Sequence, residues 1–210
     1  MESSSGLQRL LRIPKIYDTF QKIVAGNASE WLLCEQWNLD RFHGKVIDIG
    51  CGTGTLLNWL PEDATYVGSD VSEKYIENAR KNFAKRAGAT FHCGHLDSFR
   101  KHKDFQDADM ILCKGVLHHI GISEVHEILE FVAERLKPGT GSFYGLEPCY
   151  LAKQSWLHRK VLNQDRGKSI QTEKEWKNIF RSHFPIVETQ ILTGMIRIPY
   201  THIIIECKMV

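Results

Sequence analysis

Apolar positions along the chain fall into short blocks that change period. Val46-Ile47-Asp48-Ile49 is a mostly β-branched run that stops at Gly50, and Leu56, Leu57, Trp59 and Leu60 then recur at helix-like spacing. This predicts a strand over 45–50, a tight turn, and a helix over 54–60. The same alternation continues with a strand over 65–70 and a helix over 72–86, for which Ser72 is the N-cap residue. Short strands follow over 89–93 and 109–113. A helix over 123–136 has Val125, Ile128, Leu129, Phe131 and Val132 as its core stripe and ends at Lys137-Pro138-Gly139. A fifth strand covers 140–146. Strands alternating with helices predict a parallel sheet with right-handed crossovers.

The two ends of the chain depart from this rhythm. Over 7–43 the apolar stripes are helical but broken, first at Pro14. Ile16, Tyr17, Phe20, Ile23 and Val24 form one stripe, and a helix over 28–37 is expected to turn Trp31, Leu32 and Cys34 inward. Residues 1–43 are thus expected to form an N-terminal helical cap on a domain spanning 44–210. Such a cap precedes the first strand and is free to cross the carboxyl edge of the sheet, where open α/β folds bind ligands. Residues 151–183 read as a helical insert. Strands over 186–192 and 196–209 follow, joined through Thr193-Gly194 in the manner of a hairpin.

Composition narrows the class. With 210 residues, 42% of them hydrophobic, the chain can bury the core of a single domain. A net charge of +2 gives no general affinity for nucleic acid. The charge is uneven, however. In 151–183, Lys153, Arg159, Lys160, Arg166, Lys168, Lys174, Lys177 and Arg181 face only Asp165, Glu173 and Glu175, a surplus of five. That surplus fits a solvated helical face, attraction for an acidic small molecule or lipid headgroup, or contact with RNA phosphates. No apolar run reaches the roughly 18 residues that span a bilayer, and Met1 to Gly6 lack the layout of a signal peptide. The six cysteines contain no C-x-x-C pair and read as reduced core residues of a cytoplasmic protein.

The chemistry concentrates at Asp48-Ile49-Gly50-Cys51-Gly52-Thr53-Gly54. Glycines at alternate positions let a ligand approach backbone N–H groups at a helix start. The third glycine is out of register for a dinucleotide fingerprint, and the carboxylate of Asp48 repels phosphate while attracting a cation. Asp70, twenty residues after Gly50 and closing the second strand, is placed to accept from both hydroxyls of a ribose.

The D-x-G-x-G-x-G pattern is similar to motif I of the class I S-adenosylmethionine-dependent methyltransferases. Cys113-Lys114-Gly115-Val116-Leu117-His118-His119 resembles the segment after strand four in small-molecule members of the ubiquinone- and menaquinone-biosynthesis type. The resemblance covers residues 45–148. It implies a Rossmann-like, doubly wound α/β fold of seven strands, mostly parallel with an antiparallel last strand and helices on both faces. It also implies S-adenosylmethionine as cofactor, held by Asp48, Gly50, Cys51, Gly52, Gly54, Asp70 and Val71. Leu96 and Asp97 would meet the adenine, and the backbone at Cys113 and Lys114 the methionine moiety. Lys114 stands where a smaller residue is usual, so its side chain is a further candidate for the cofactor carboxylate or the substrate.

His119 is the candidate general base, with a structural hydrogen-bonding role as the alternative. Tyr17, His118 and Tyr150 are candidate pocket residues for a small-molecule or lipid-like methyl acceptor. The [N/D/S]-P-P-[F/Y/W] signature of amino-methylating enzymes is missing after strand four, and Pro148-Cys149 follows the wrong strand for a cytosine-C5 nucleophile. No carboxylate cluster there suggests a divalent metal. An RNA methyltransferase using the basic segment, or a non-catalytic cofactor-binding partner, are the competing readings. Neither the acceptor nor the oligomeric state is fixed by these motifs.

Overall fold

The computed structural model describes residues 28–165, 167 and 169–209. Eight strands form the sheet: β1 (Lys45–Ile49), β2 (Thr65–Asp70), β3 (Ala89–Cys93), β4 (Met110–Lys114), β5 (Ser142–Tyr150), β6 (Gln171–Thr172), β7 (Ile186–Thr193) and β8 (Thr201–Lys208). Their order is β3-β2-β1-β4-β5-β8-β7, with the two-residue β6 paired beside the end of β5. Strands β1 to β5 pair in parallel, and β8 enters antiparallel between β5 and β7. The expected seven-stranded mixed sheet is therefore present, with β6 added. The strand order changes direction between β1 and β4, whose ends lie level at Ile49 and Cys113. A crevice at such a switch point is where open α/β sheets bind ligands.

Both faces of the sheet are covered, for a reason visible in the strands. Side chains alternate between faces, so Ile47, Ile49 and Ile111 enter one core while Val46, Met110 and Leu112 enter the other. Helices α2 (Ile122–Arg135) and α4 (Glu173–Arg181) supply Leu129, Phe131, Trp176 and Phe180 to the first core. Helix α1 (Glu73–Asn82) and the segment before β1 supply Ile76, Leu32, Leu33 and Trp37 to the second. Each such large side chain contributes about 1.5–3 kcal/mol through burial. Ser72 does cap α1, its hydroxyl accepting from the Tyr75 N–H.

Several local expectations are corrected. Thr55–Trp59 is a 3-10 helix rather than an α-helix. Leu57 and Leu60 bond three residues back, and Pro61 stops the segment before a second turn can form. Before β1, a single α-turn at Ala28–Glu30 runs into π-type winding over Trp31–Gln36, with the Trp37 N–H reaching Leu32 O. The wider turn rotates the buried face, so Leu32, Leu33 and Trp37 are inside while Trp31 and Cys34 are half-buried. The part of the expected cap up to residue 27, including Tyr17, lies outside the described residues.

Strand β5 runs on to Tyr150 because its end is paired on both sides, Pro148 with His202 and Cys149 with Gln171. Glu147-Pro148-Cys149-Tyr150 therefore belongs to the strand and not to a loop after it. The basic segment is not one helical stretch: α3 (Trp156–Asn163) and α4 flank β6. The last strand begins at Thr201, leaving residues 194–200 as a loop in place of a tight hairpin turn. No helix among the described residues is long and apolar enough to cross a membrane.

Candidate functional site

The glycine turn leaves β1 and is tied at once to the end of β2. The N–H groups of Gly50 and Cys51 both donate to the Ser69 carbonyl, at 2.8 and 2.9 Å. Asp70 completes the tie: its Oδ2 accepts from the Gly52 N–H at 3.0 Å and its Oδ1 from the Ser72 N–H at 2.8 Å. Each carboxylate oxygen keeps acceptor capacity beyond these bonds.

Gly50 has φ +71°, and a Cβ there would run into the Val116 side chain. Gly52 is different. It also lies at positive φ, yet a Cβ built on it would meet nothing within 4 Å. The turn thus presents bare backbone to open space beside the Asp70 carboxylate.

Asp48 lies under this turn, 4% exposed, and its Oδ2 accepts from the Tyr66 hydroxyl at 2.7 Å. Burial pushes its carboxyl up to about 6, against the opposing effects of the Tyr66 hydrogen bond and the Lys114 charge. Lys114, half-buried at the end of β4, is shifted the other way: burial lowers its ammonium, and Asp48 opposes the shift. Cys113 is wholly buried, so its side chain faces the core. Val71 is 66% exposed just beyond β2. Leu96 and Asp97 open a 3-10 turn, Leu96–Phe99, after β3. Asp97 Oδ1 receives Arg100 Nε at 3.0 Å on an exposed surface.

The segment after β4 is organised by a residue that sequence reasoning did not single out. Glu147, in β5 and wholly buried, accepts from the N–H groups of Val116 and Leu117 at Oε1 (3.0 and 2.9 Å) and of His118 at Oε2 (3.2 Å). His118 Nδ1 also reaches Oε2, at 2.6 Å. The other ring nitrogen, Nε2, faces Asp165 Oδ1 at 3.5 Å. Burial alone would lower His118, but the Asp165 and Glu147 carboxylates outweigh it and push the imidazole up to about 9.

Asp165 is fixed in turn by the Tyr200 hydroxyl at 2.6 Å and the Gly167 N–H at 2.8 Å. His118, expected at the acceptor pocket, is therefore 5% exposed and held between two carboxylates, while His119 is exposed. Tyr150 ends β5, bonded to Asn163 at 2.8 Å and stacked beneath Arg159. Glu147 had one signal, a charge ending an apolar strand. Asp165 and Tyr200 had none, because their partners are distant in sequence.

An open backbone turn between a buried carboxylate and a second carboxylate at the end of β2 fits a ligand with hydroxyls and positive charge. A family model described as a methyltransferase domain matches residues 47–141, the stretch that builds this turn and the segment after β4. Residues 47–141 thus form a methyltransferase domain of the class I S-adenosylmethionine-dependent superfamily.

Methyltransferases of known name match parts of it. A ubiquinone biosynthesis O-methyltransferase from Coxiella burnetii is 31% identical over 102 residues, 47% of this chain and 42% of that protein. A malonyl-[acyl-carrier protein] O-methyltransferase from Halalkalibacterium halodurans is 26% identical over 146 residues, 63% of this chain and 52% of that protein. The chain thus spans about half the length of these curated relatives. The crystal structure of a methyltransferase from Archaeoglobus fulgidus shares the fold, with TM-score 0.69 and 15% identity over 91% of this chain and 99% of that one.

Proposed function

We propose that this chain transfers a methyl group from S-adenosylmethionine to a small organic or lipid-like acceptor. The observation that carries the reading is the Asp70-anchored glycine turn opening at Gly52 above the buried Asp48. When bound, S-adenosylmethionine supplies an activated methyl on a sulfonium that is also its own leaving group.

The protein's residues would bind and orient. Asp70 would accept from the ribose hydroxyls, with its backbone bonds already fixing its rotamer. Asp48, steered by Tyr66, would attract the positively charged methionine end, and Lys114 would meet the carboxylate there. Gly50, Cys51, Gly52 and Gly54 would supply the surface on which it lies, with the backbone at Cys113 and Lys114 opposite. Leu96 and Val71 would flank the adenine, and Asp97 would use the oxygen that Arg100 leaves open. Most of the acceleration in such a transfer comes from holding the acceptor in line and close. His119, exposed on the turn after β4, would take a proton from the acceptor where the transfer requires one. The names of the two relatives, both O-methyltransferases, support an oxygen acceptor.

Calorimetric titration with S-adenosylmethionine, its demethylated product and NAD tests the reading. Micromolar binding of the first two and none of NAD is expected. Asp70→Ala should weaken binding by about 1–3 kcal/mol, the scale of hydrogen bonds to a charged acceptor. Binding of NAD alone, or unchanged affinity in Asp70→Ala, would refute it.

A further inference from the structure

We propose that His118, His119 and Asp165 together bind a divalent transition-metal ion. One ligand atom from each lies within 4.8 Å of the others. Two come from the 3-10 turn Leu117–His119 after β4, and the third from the residue pair that follows α3. Nothing in the sequence pattern joined them, because 46 residues separate His119 from Asp165.

His118 is oriented for such a role. A carboxylate only accepts, and Glu147 sits within 2.6 Å of His118 Nδ1, so that nitrogen carries the proton. Nε2 faces Asp165 Oδ1, and an ion bound between the two would take the place of the proton on that nitrogen. A buried carboxylate that fixes the tautomer and direction of an imidazole is the arrangement found behind metal-bound histidines. Glu147 is itself immobilised by the three backbone N–H groups it caps.

Spacing points the same way. The Nε2–Oδ1 separation is 3.5 Å. Charge-assisted N–H···O bonds close to about 2.7–2.9 Å. Two ligands of one tetrahedral ion, each about 2.0–2.1 Å from it, stand roughly 3.4 Å apart. Asp165 is also pre-set, since Tyr200 holds Oδ2 and Gly167 takes one lone pair of Oδ1.

The other cluster of this kind among the described residues lacks these features. His92, His102 and Asp104 are close, but His92 Nε2 meets Asp104 Oδ2 at 3.0 Å and His102 Nδ1 accepts from the Asp104 N–H.

Two imidazoles and one carboxylate suit zinc, iron(II) or cobalt(II) better than magnesium or calcium. Three protein ligands leave a coordination position open, as in catalytic sites. If the methyl-transfer reading holds, that position could take an acceptor oxygen and favour its ionised form. His119 would then be a ligand instead of a base. Binding of the ion does not depend on that reading.

Chelator-treated protein titrated with Co2+, followed by visible absorption, and with Zn2+, followed by calorimetry, decides the matter. Saturable binding at about micromolar ion is expected, with the absorption of a nitrogen- and oxygen-ligated tetrahedral ion. His119→Ala and Asp165→Asn should each weaken it at least tenfold in protein that remains folded by circular dichroism. Glu147→Gln should weaken it by 10–100-fold, the usual effect of losing the group behind a metal-bound histidine. That variant is prone to unfolding, so the His119 and Asp165 variants are the decisive pair. The proposal fails if no Co2+ spectrum appears, if thiolate-to-cobalt absorption shows cysteine ligation, or if only His92→Ala reduces binding. S-adenosylmethionine titrations on the same variants report separately on the methyl-transfer reading.

Discussion

Asp48 offers a test in which stability and binding move in opposite directions. Its carboxyl is raised from 3.8 to about 6, chiefly by burial. The folded protein therefore holds this proton more tightly than the unfolded chain. Sign follows directly: above about pH 6 the ionised group opposes folding, and that cost is relieved as pH falls from about 6 toward the ordinary carboxylate value. At about 1.4 kcal/mol per unit, a shift of roughly two units amounts to about 3 kcal/mol at neutral pH.

Replacement by Asn removes the charge and keeps an acceptor for the Tyr66 hydroxyl, so Asp48→Asn should stabilise the protein at pH 7 by up to that amount. Binding should respond oppositely, because a cationic ligand needs the ionised carboxylate. With a midpoint near 6, only about a tenth of the sites are ionised at pH 5, so affinity for S-adenosylmethionine should fall about tenfold between pH 7 and pH 5. Calorimetric titrations across that range, paired with denaturant unfolding, measure both effects. A flat affinity profile in the parent protein would refute the reasoning, as would an Asp48→Asn protein that keeps the slope.

Other perturbations follow from the same geometry. Tyr66→Phe removes the hydrogen bond that favours the ionised Asp48, so the midpoint of the binding profile should move upward. Glu147→Ala leaves three backbone N–H groups and the His118 ring without their acceptor, and thermal unfolding should show a loss of about 3–5 kcal/mol. Gly50→Ala drives a methyl into Val116 at positive φ, and should cost about 1–3 kcal/mol of stability together with most of the cofactor affinity. Charge reversal at Arg159 and Lys160 should leave S-adenosylmethionine affinity unchanged. If it also abolishes salt-dependent RNA binding, the basic segment serves nucleic acid and the small-molecule reading fails.

Much of the architecture was written locally. The β-branched run before Gly50, the spacing from Gly50 to Asp70 and the helical stripes after each strand act over a few residues, through sterics, period and capping. These marked β1 to β4 to within a residue or so, and placed Asp48, the glycine turn and Asp70 on one edge of the sheet. Period alone did not separate a 3-10 turn from an α-helix at Thr55–Trp59, because five residues ended by a proline give too few repeats to tell them apart.

Long-range pairing decided the rest. Strand β5 extends to Tyr150 only because β8 and β6 hydrogen-bond to its end, and the pairing partners of Pro148 and Cys149 are far along the chain. His118 and His119 are neighbours of the same type, and nothing in their spacing says which is buried. Glu147 from β5 and Asp165 from beyond α3 make that choice. The sequence by itself thus determined the motif-bearing turns, where backbone conformation is set by adjacent residues. The tertiary structure alone decided how the side chains after β4 are used, because burial and charge are properties of the partners that folding brings to them.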